Sequence, residues 1–380
     1  MRIGVNALYL LPGKVGGSEI YVRNLVKWLP RAGKGDEFII YVNRESAGVF
    51  EEIPGAVKVV RCNVSASNRP ARILYEQTVL PFLAARHRLD ALLSAGMTGP
   101  FVSTVPSFTM IYDLQHVNQP QNFGKLYLMF LKSIIYMSAK RADAVLTLSE
   151  KSKRDILKHY HLGPERVVVT YLASDRTVFS GRGIEEVKAI RKKYGLPASF
   201  ALYIASSLPH KNYERLLQAF KIVKASHKEL KLVLIGARDY GHDIIKKKIE
   251  ELGLVGEVVF LGWLPFEDIP VIYSAADLFV FPSLHEGFGI PVLEAMASGV
   301  PVVCSNIEPL DEVAGNAARL VDPLSAESIA KGMSDVLDSR QLRGRLVKDG
   351  FERAASFSWE KTAKDTLKAI SARIGKGARH

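Results

Sequence analysis

The sequence predicts an α/β protein built from two doubly wound domains. Short apolar runs rich in β-branched and aromatic residues alternate with segments of helical periodicity, as parallel strands joined by crossover helices do. The alternation pauses over a polar stretch, Leu172–Ser180 (LASDRTVFS), and restarts at Phe200. The chain has 380 residues and 48% hydrophobic content, enough for two cores. The boundary is placed at residue 174. This gives domains of residues 1–174 and 175–356, followed by a terminal helical segment, residues 357–380.

In the first domain, strands are expected at Ile3–Leu8, Phe38–Asn43, Val57–Cys62, Ala91–Ser94, Phe108–Leu114, Ala144–Leu148 and Val167–Tyr171. A glycine-rich loop, Pro12–Ser18 (PGKVGGS), follows the first strand. Ser18 is the expected cap of the helix Glu19–Leu29, whose Ile20, Val22, Leu25, Val26 and Leu29 form an apolar stripe. Such a loop admits a phosphate or substrate, although this one does not spell GxGxxG. Ser149–Tyr160 reads as a further helix.

The second domain places strands at Phe200–Ala205, Leu232–Gly236, Val258–Gly262, Leu278–Pro282, Val300–Cys304 and Ala318–Val321, with a helical tail over Ser325–Ile374. Its most informative stretch is residues 278–304, LFVFPSLHEGFGIPVLEAMASGVPVVC. This is a strand, a glycine-containing loop, a helix opened by Pro291 and closed by Gly299, and a second buried strand. Ligands of open α/β sheets sit at the carboxyl ends of strands. Gly287 and Gly289 let a ligand approach the backbone, and the amides of Gly289–Val292 favour an anion at the helix start. Glu286 lies in the loop and Glu294 is placed in the first helical turn. A carboxylate repels phosphate but accepts hydrogen bonds from sugar hydroxyls, so the pattern suits a nucleotide diphosphate sugar. Each glutamate alone also reads as an ordinary loop acid or helix-dipole partner. Lys211 precedes the helix Tyr213–Lys224 at a strand's carboxyl end. It reads either as a solvated lysine or as the point charge on a leaving diphosphate.

Composition excludes several classes. Cys62 and Cys304 have no metal-ligand or redox spacing and read as buried thiols of a reducing compartment. No apolar run approaches the roughly 20 residues of a membrane span, and no secretory signal is expected. No metal site is expected, since there is no Asp-x-Asp and His159/His161 is a poor zinc pair. Residues 1–174 hold 22 Lys and Arg against 13 Asp and Glu, so they carry most of the net charge of +12. Lys125–Arg166, with nine basic and four acidic residues interleaved with Leu126, Tyr127, Met129 and Phe130, reads as an amphipathic helix face or as a surface for anionic lipid.

The Glu286–Glu294 spacing around GFG and a proline helix start resembles the family 4 retaining glycosyltransferases of the GT-B fold. The resemblance extends to Lys211–Asn212, to Phe357–Ser358–Trp359–Glu360 and to the Gly16–Gly17 loop. It implies two Rossmann-like domains facing a central cleft, the last helix crossing back to the first domain. It implies that Glu286 contacts the donor sugar and Glu294 the ribose. Gly287, Phe288, Gly289, Ile290, Pro291 and Val292 would border sugar and phosphate, with Lys211 and Ser206 at the diphosphate, Leu264 near the base, and Gly16 and Gly17 near phosphate and acceptor. Two positions depart from the family pattern. Ser206 stands where many relatives have arginine, and Tyr112, before Asp113, stands where many have histidine. His116, four residues later, reads equally as a replacement for that histidine or as a loop residue. The context of Asn68–Arg72, Leu74–Gln77 and Tyr112–Pro120 is most similar to mannosyltransferases of bacterial surface polysaccharide assembly. It implies GDP-mannose as donor, a lipid-linked or oligosaccharide acceptor, no nucleic acid partner, no metal cofactor, and a cytoplasmic enzyme peripheral to the inner face of the membrane. A UDP-glucosyl- or dTDP-rhamnosyltransferase, and a non-catalytic nucleotide- or lipid-binding scaffold, are the alternatives.

Overall fold

The computed structural model describes residues 1–51, 53, 57–236 and 241–377, the side chains of 122 and 375–377 excepted. It divides into two compact units, residues 1–172 with 359–380 and residues 173–358. The closing helix, Trp359–Gly377, belongs to the first unit, where it packs on the helix Gly17–Ala32 and Thr362 Oγ1 donates to the Tyr171 carbonyl (2.6 Å).

The first unit is a seven-stranded sheet of β1 (Arg2–Asn6), β2 (Glu37–Val42), β3 (Val57–Arg61), β4 (Ala91–Ser94), β5 (Ser107–Met110), β6 (Ala144–Thr147) and β7 (Val167–Val169). The strand order is β3-β2-β1-β4-β5-β6-β7, and every pairing is parallel. All residues of β4, β5 and β6 are buried, which is why they read as apolar runs without alternation. The order reverses between β1 and β4, so this unit's switch point lies at Asn6 and Ser94.

Two local expectations change. Strand β5 ends at Met110, because the apolar run to Leu114 continues the core rather than the ladder, and Asp113 Oδ1 accepts from the Gln115 amide to start the short helix Gln115–Asn118. Ser18 does not cap the first helix. The helix starts at Gly17 after Gly16, which holds φ 57, and the Ser18 hydroxyl donates to the Val15 carbonyl (2.9 Å).

The second unit is a six-stranded parallel sheet of β8 (Phe200–Ile204), β9 (Lys231–Ile235), β10 (Val258–Gly262), β11 (Leu278–Phe281), β12 (Val302–Ser305) and β13 (Arg319–Val321), in the order β10-β9-β8-β11-β12-β13. Its switch point falls between β8 and β11, paired in register Leu278 to Ala201. Gly236, at the end of β9, sits so close to β8 that a Cβ there would lie 1.8 Å from the Ala205 carbonyl oxygen. Cys62 and Cys304 are both buried free thiols, and burial pushes Cys304 up to about 12.

A closed polar network braces the first unit. Glu76, on the helix Arg69–Arg86, is fully buried. It accepts from Arg72 (2.8 Å), Thr98 (2.8 Å) and Asn6 (3.3 Å). Burial raises the Glu76 pKa, while Arg72, Thr98 and Asn6 oppose that rise. Removing the carboxylate strands a buried guanidinium. We therefore expect Glu76→Ala to cost about 3–5 kcal/mol, and Arg72→Leu/Glu76→Leu to cost far less, because the pair leaves together. Chemical denaturation midpoints check this, and equal losses in the two variants would contradict it.

Candidate active site

The second unit's switch point gathers the charged residues. After β8 the chain makes a 3-10 turn, Pro209–Lys211, and Asn212 follows with φ 60. Asn212 is buried, and its side-chain amide donates to the carbonyls of Pro282 and Pro323 (2.8 Å each). The hydroxyl of Tyr203, on β8, donates to the Lys211 carbonyl (2.5 Å), and the Leu284 amide donates to the His210 carbonyl (2.8 Å). These bonds tie the Lys211 turn to the loop after β11. Lys211 Nζ therefore reaches Glu286 Oε1 at 2.6 Å, and both side chains are largely buried. The ammonium also lies 5.5 Å from the Phe281 ring centroid. Burial and neighbouring Lys211 push His210 down to about 4, Glu286 opposing and His285 adding to the shift.

The glycine loop completes this corner. Gly289 holds φ 103, and a Cβ there would meet Leu310 at 2.4 Å, so both conformation and space require glycine. The helix begins at Ile290, with Pro291 in its first turn, and ends at Ala297 before Ser298 and Gly299. Two expectations are corrected. Pro291 has no N–H and the Val292 amide bonds to the Gly289 carbonyl (3.0 Å), so the amides of Gly289 and Ile290 are the donors at the helix start. Glu294 lies in the second turn rather than the first, because the helix starts one residue before the proline.

Glu294 is buried. Tyr273, on the helix Ile269–Ala275, donates its hydroxyl to Oε2 (3.2 Å). Burial pushes the carboxyl up to about 7, with Tyr273 opposing. Ser206 and Leu264 are half-buried, after β8 and β10, the latter beside the exposed Trp263. Phe288 is buried and meets Phe357 edge-on at 5.9 Å. Sequence reasoning missed Asn212, Tyr203 and Tyr273. An Asn directly after a strand-end lysine was the available signal, since Asn is enriched at positive φ.

In the first unit, Gly16 and Gly17 are exposed, with nothing within 4 Å of either would-be Cβ. Tyr112 is a brace. Its hydroxyl donates to the Ala95 carbonyl (2.6 Å) and lies 3.1 Å from the Tyr9 hydroxyl, which donates to the Ser18 carbonyl (2.7 Å). The residue standing in for the family's histidine thus fastens the ends of β4 and β5 to the first helix. His116 is 3% exposed and its Nε2 lies 3.0 Å from the Tyr160 hydroxyl. Burial, with Lys132 nearby, pushes it down to about 4. This geometry places His116 in the core against Tyr160 rather than in an open loop. Asp113 remains half-buried at the end of β5. Among the described residues there is no group of three or more His, Cys, Asp or Glu able to hold a metal ion.

Two parallel sheets with charged groups at a switch point define a doubly wound α/β protein with a candidate ligand site at the carboxyl ends of its strands. Comparison narrows the class. Residues 186–353 match the family described as Glycosyl transferases group 1, and residues 15–177 match Glycosyltransferase Family 4. The chain is 33% identical over 263 residues to O-antigen chain mannosyltransferase B of Escherichia coli, covering 69% of each protein. It is 29% identical over 246 residues to the serotype-specific mannosyltransferase WbdA of Escherichia coli, covering 64% of this chain but only 30% of that longer one. Anabaena HepE in complex with UDP and glucose superposes with a TM-score of 0.77 at 18% identity, covering 98% of this chain and all of that one. The chain belongs to this glycosyltransferase family, and its fold is GT-B.

The raised pKa of Glu294 has a measurable consequence. The native carboxyl holds its proton up to about pH 7, whereas an unfolded glutamate releases it near its ordinary 4.5. Stability is therefore fully present below the unfolded value and is lost as pH rises towards 7, by about 3 kcal/mol. Glu294→Gln keeps the contact with Tyr273 and removes the titration. We expect its thermal midpoint to gain on the wild type between pH 5 and pH 8, and parallel pH profiles would contradict this.

Proposed function

We propose that this chain moves a mannosyl group from GDP-mannose, with retention of anomeric configuration and without a metal cofactor, to a hydroxyl of a lipid-linked or polysaccharide acceptor. The observation that carries the reading is the Lys211–Glu286 pair at the switch point, beside a glycine-opened helix and the buried Glu294. The relatives named as O-antigen and serotype-specific mannosyltransferases support the choice of sugar and acceptor class.

On this reading Glu286 accepts hydroxyl hydrogen bonds from the donor sugar and holds Lys211 against the diphosphate. Lys211 and the amides of Gly289 and Ile290 meet the negative charge that grows on the leaving phosphate, and preorganised donors of this kind often supply the largest catalytic term. Glu294 accepts from the ribose hydroxyls, and Leu264 borders the base. The acceptor oxygen bonds to the anomeric carbon on the face from which the phosphate leaves, and its proton passes to the departing phosphate oxygen. No covalent enzyme intermediate is needed. The first unit's switch point, with Gly16, Gly17 and Asp113, is assigned to the acceptor. The enzyme works at the cytoplasmic face of the membrane that carries that acceptor.

A thermal-shift panel in EDTA with GDP, UDP, GDP-mannose, UDP-glucose and dTDP-rhamnose tests the donor. A ligand at about 100 times its dissociation constant adds roughly 2.7 kcal/mol. We expect GDP and GDP-mannose to do so and the others not. A response to UDP or dTDP alone would replace the sugar, and no response would favour a non-catalytic scaffold. We also expect Lys211→Ala to lower transfer about 100-fold or more while the fold remains intact. Transfer in EDTA equal to that with added Mg²⁺ is expected, and a strict requirement for the ion would overturn the metal-free account.

A further inference from the structure

The helix Lys125–Arg141 of the first unit is held mainly through its second half, with Leu131 also packed on the core. Its buried residues are Ile134, Ile135, Ser138 and Ala139, all in its second half. None of residues 125–133 is buried, yet they read KLYLMFLKS. Leu126 is 82% exposed, Met129 65% and Phe130 41%, and Tyr127 is exposed beside them. Leu128 and Leu131 are half-buried and Leu131 packs on the core, so Leu126, Met129 and Phe130 form a separate exposed apolar stripe that an apolar environment would cover. These nine residues span about 13 Å along the axis, long enough to enter the headgroup and upper acyl region of a bilayer lying on its side.

Charge selects the occupant. The helix carries Lys125, Lys132, Lys140 and Arg141 and no acidic residue. The neighbouring helix Arg69–Arg86 shares a core with it through Ile73, which clusters with Ile134 and Ile135. Its only acid, Glu76, is fully buried, while Arg69 and Arg86 are exposed, as are Leu74 and Phe82. Arg69 links the two helices, its guanidinium 5.4 Å from the Tyr127 ring centroid and donating to the Tyr127 hydroxyl. Together the two helices expose large apolar side chains and positive charges, and no negative charge. A soluble protein partner of either charge does not require both features, but an anionic bilayer does, because apolar groups insert while Lys and Arg stay at the headgroups.

We propose that the amino-terminal half of the helix Lys125–Arg141 is a membrane-docking surface for bilayers containing anionic lipid, with Leu126, Met129 and Phe130 inserted and Lys125, Lys132 and Arg69 at the headgroups. The proposal deepens the lipid-linked acceptor reading given above. The helix follows β5 by residues 111–124, so docking there brings the carboxyl end of β5, with Asp113, to the membrane carrying the acceptor. No described helix is long and apolar enough to cross a membrane, so attachment of this kind is interfacial.

The test is co-sedimentation of the full chain with vesicles of phosphatidylcholine alone and of phosphatidylcholine mixed with phosphatidylglycerol. Binding to the mixed vesicles is expected, at least about tenfold stronger than to phosphatidylcholine, and weakened by salt. Leu126→Gln/Phe130→Gln and Lys125→Glu/Lys132→Glu are each expected to lose about tenfold or more. Both pairs are exposed, so unchanged thermal midpoints show that the fold survives. Equal binding to both vesicles, or variants that bind like the wild type, overturns the proposal. So does a wild type that ignores vesicles but self-associates in sedimentation velocity through these residues, which would make the face a contact for a second copy. A chain that binds vesicles but answers to no nucleotide would sink the donor reading and leave this one standing.

Discussion

The position of the charged groups in the second unit rests on Asn212. A residue with φ 60 reverses the chain directly after Lys211, and its side chain crosses to two carbonyls, Pro282 after β11 and Pro323 after β13. These bonds are buried and so are not traded against water. Three strand ends are therefore fixed against one another by one amide. Lys211 has little freedom to leave Glu286, since its own carbonyl is held by Tyr203 and the preceding residue by Leu284. The resulting pair is preorganised, which reduces the entropic cost of orienting a long lysine chain at a ligand.

The two buried glutamates show how environment separates a carboxyl enclosed by partners from one held by the Tyr273 hydroxyl. Glu76 has a guanidinium, a hydroxyl and an amide around it, so its hydrogen-bonding capacity is used within the protein. Glu294 has the Tyr273 hydroxyl at 3.2 Å and, among the described residues, no cation in contact, and burial drives its pKa upward. A carboxyl in that condition gains from any ligand that brings hydroxyl donors, because they favour the ionised form that burial penalises.

The fold was legible in the sequence because both sheets are parallel and covered on both faces, so their central strands appear as unbroken apolar runs. Errors fell where a run of apolar residues continued past the ladder, as at Ile111 and Leu114, or where a helix start was set by a glycine conformation rather than by a side-chain cap, as at Gly16. The Glu286–Glu294 stretch was legible as a strand, glycine turn and helix start, since spacing, glycine and proline all constrain one turn. Its partners were not. Asn212 and Tyr273 act across the fold, at separations of 70 and 21 residues from what they hold, and no local pattern encodes such contacts. The surroundings of His116 were hidden for the same reason. Its chain position lies near a strand end, but its ring turns into the core against Tyr160 from another helix.

The two units repeat one topology, yet their switch points hold different chemistry. At the first, Asn6 and Ser94 lie at the strand ends, backed by the buried network around Glu76 and the linked hydroxyls of Tyr9 and Tyr112, while the Glu19–Arg23 pair lies on the first helix beside the glycine loop. At the second, Lys211 and Glu286 face each other at 2.6 Å beside a helix start. The first corner offers mainly hydroxyl and amide hydrogen-bonding groups, whereas a cation held against a carboxylate beside a helix start favours an anion and accepts from hydroxyls. Fold alone does not decide this division, because the same parallel sheet underlies both corners. It follows from which residues terminate the inner strands, and in each unit those are the two strands on either side of the reversal in strand order.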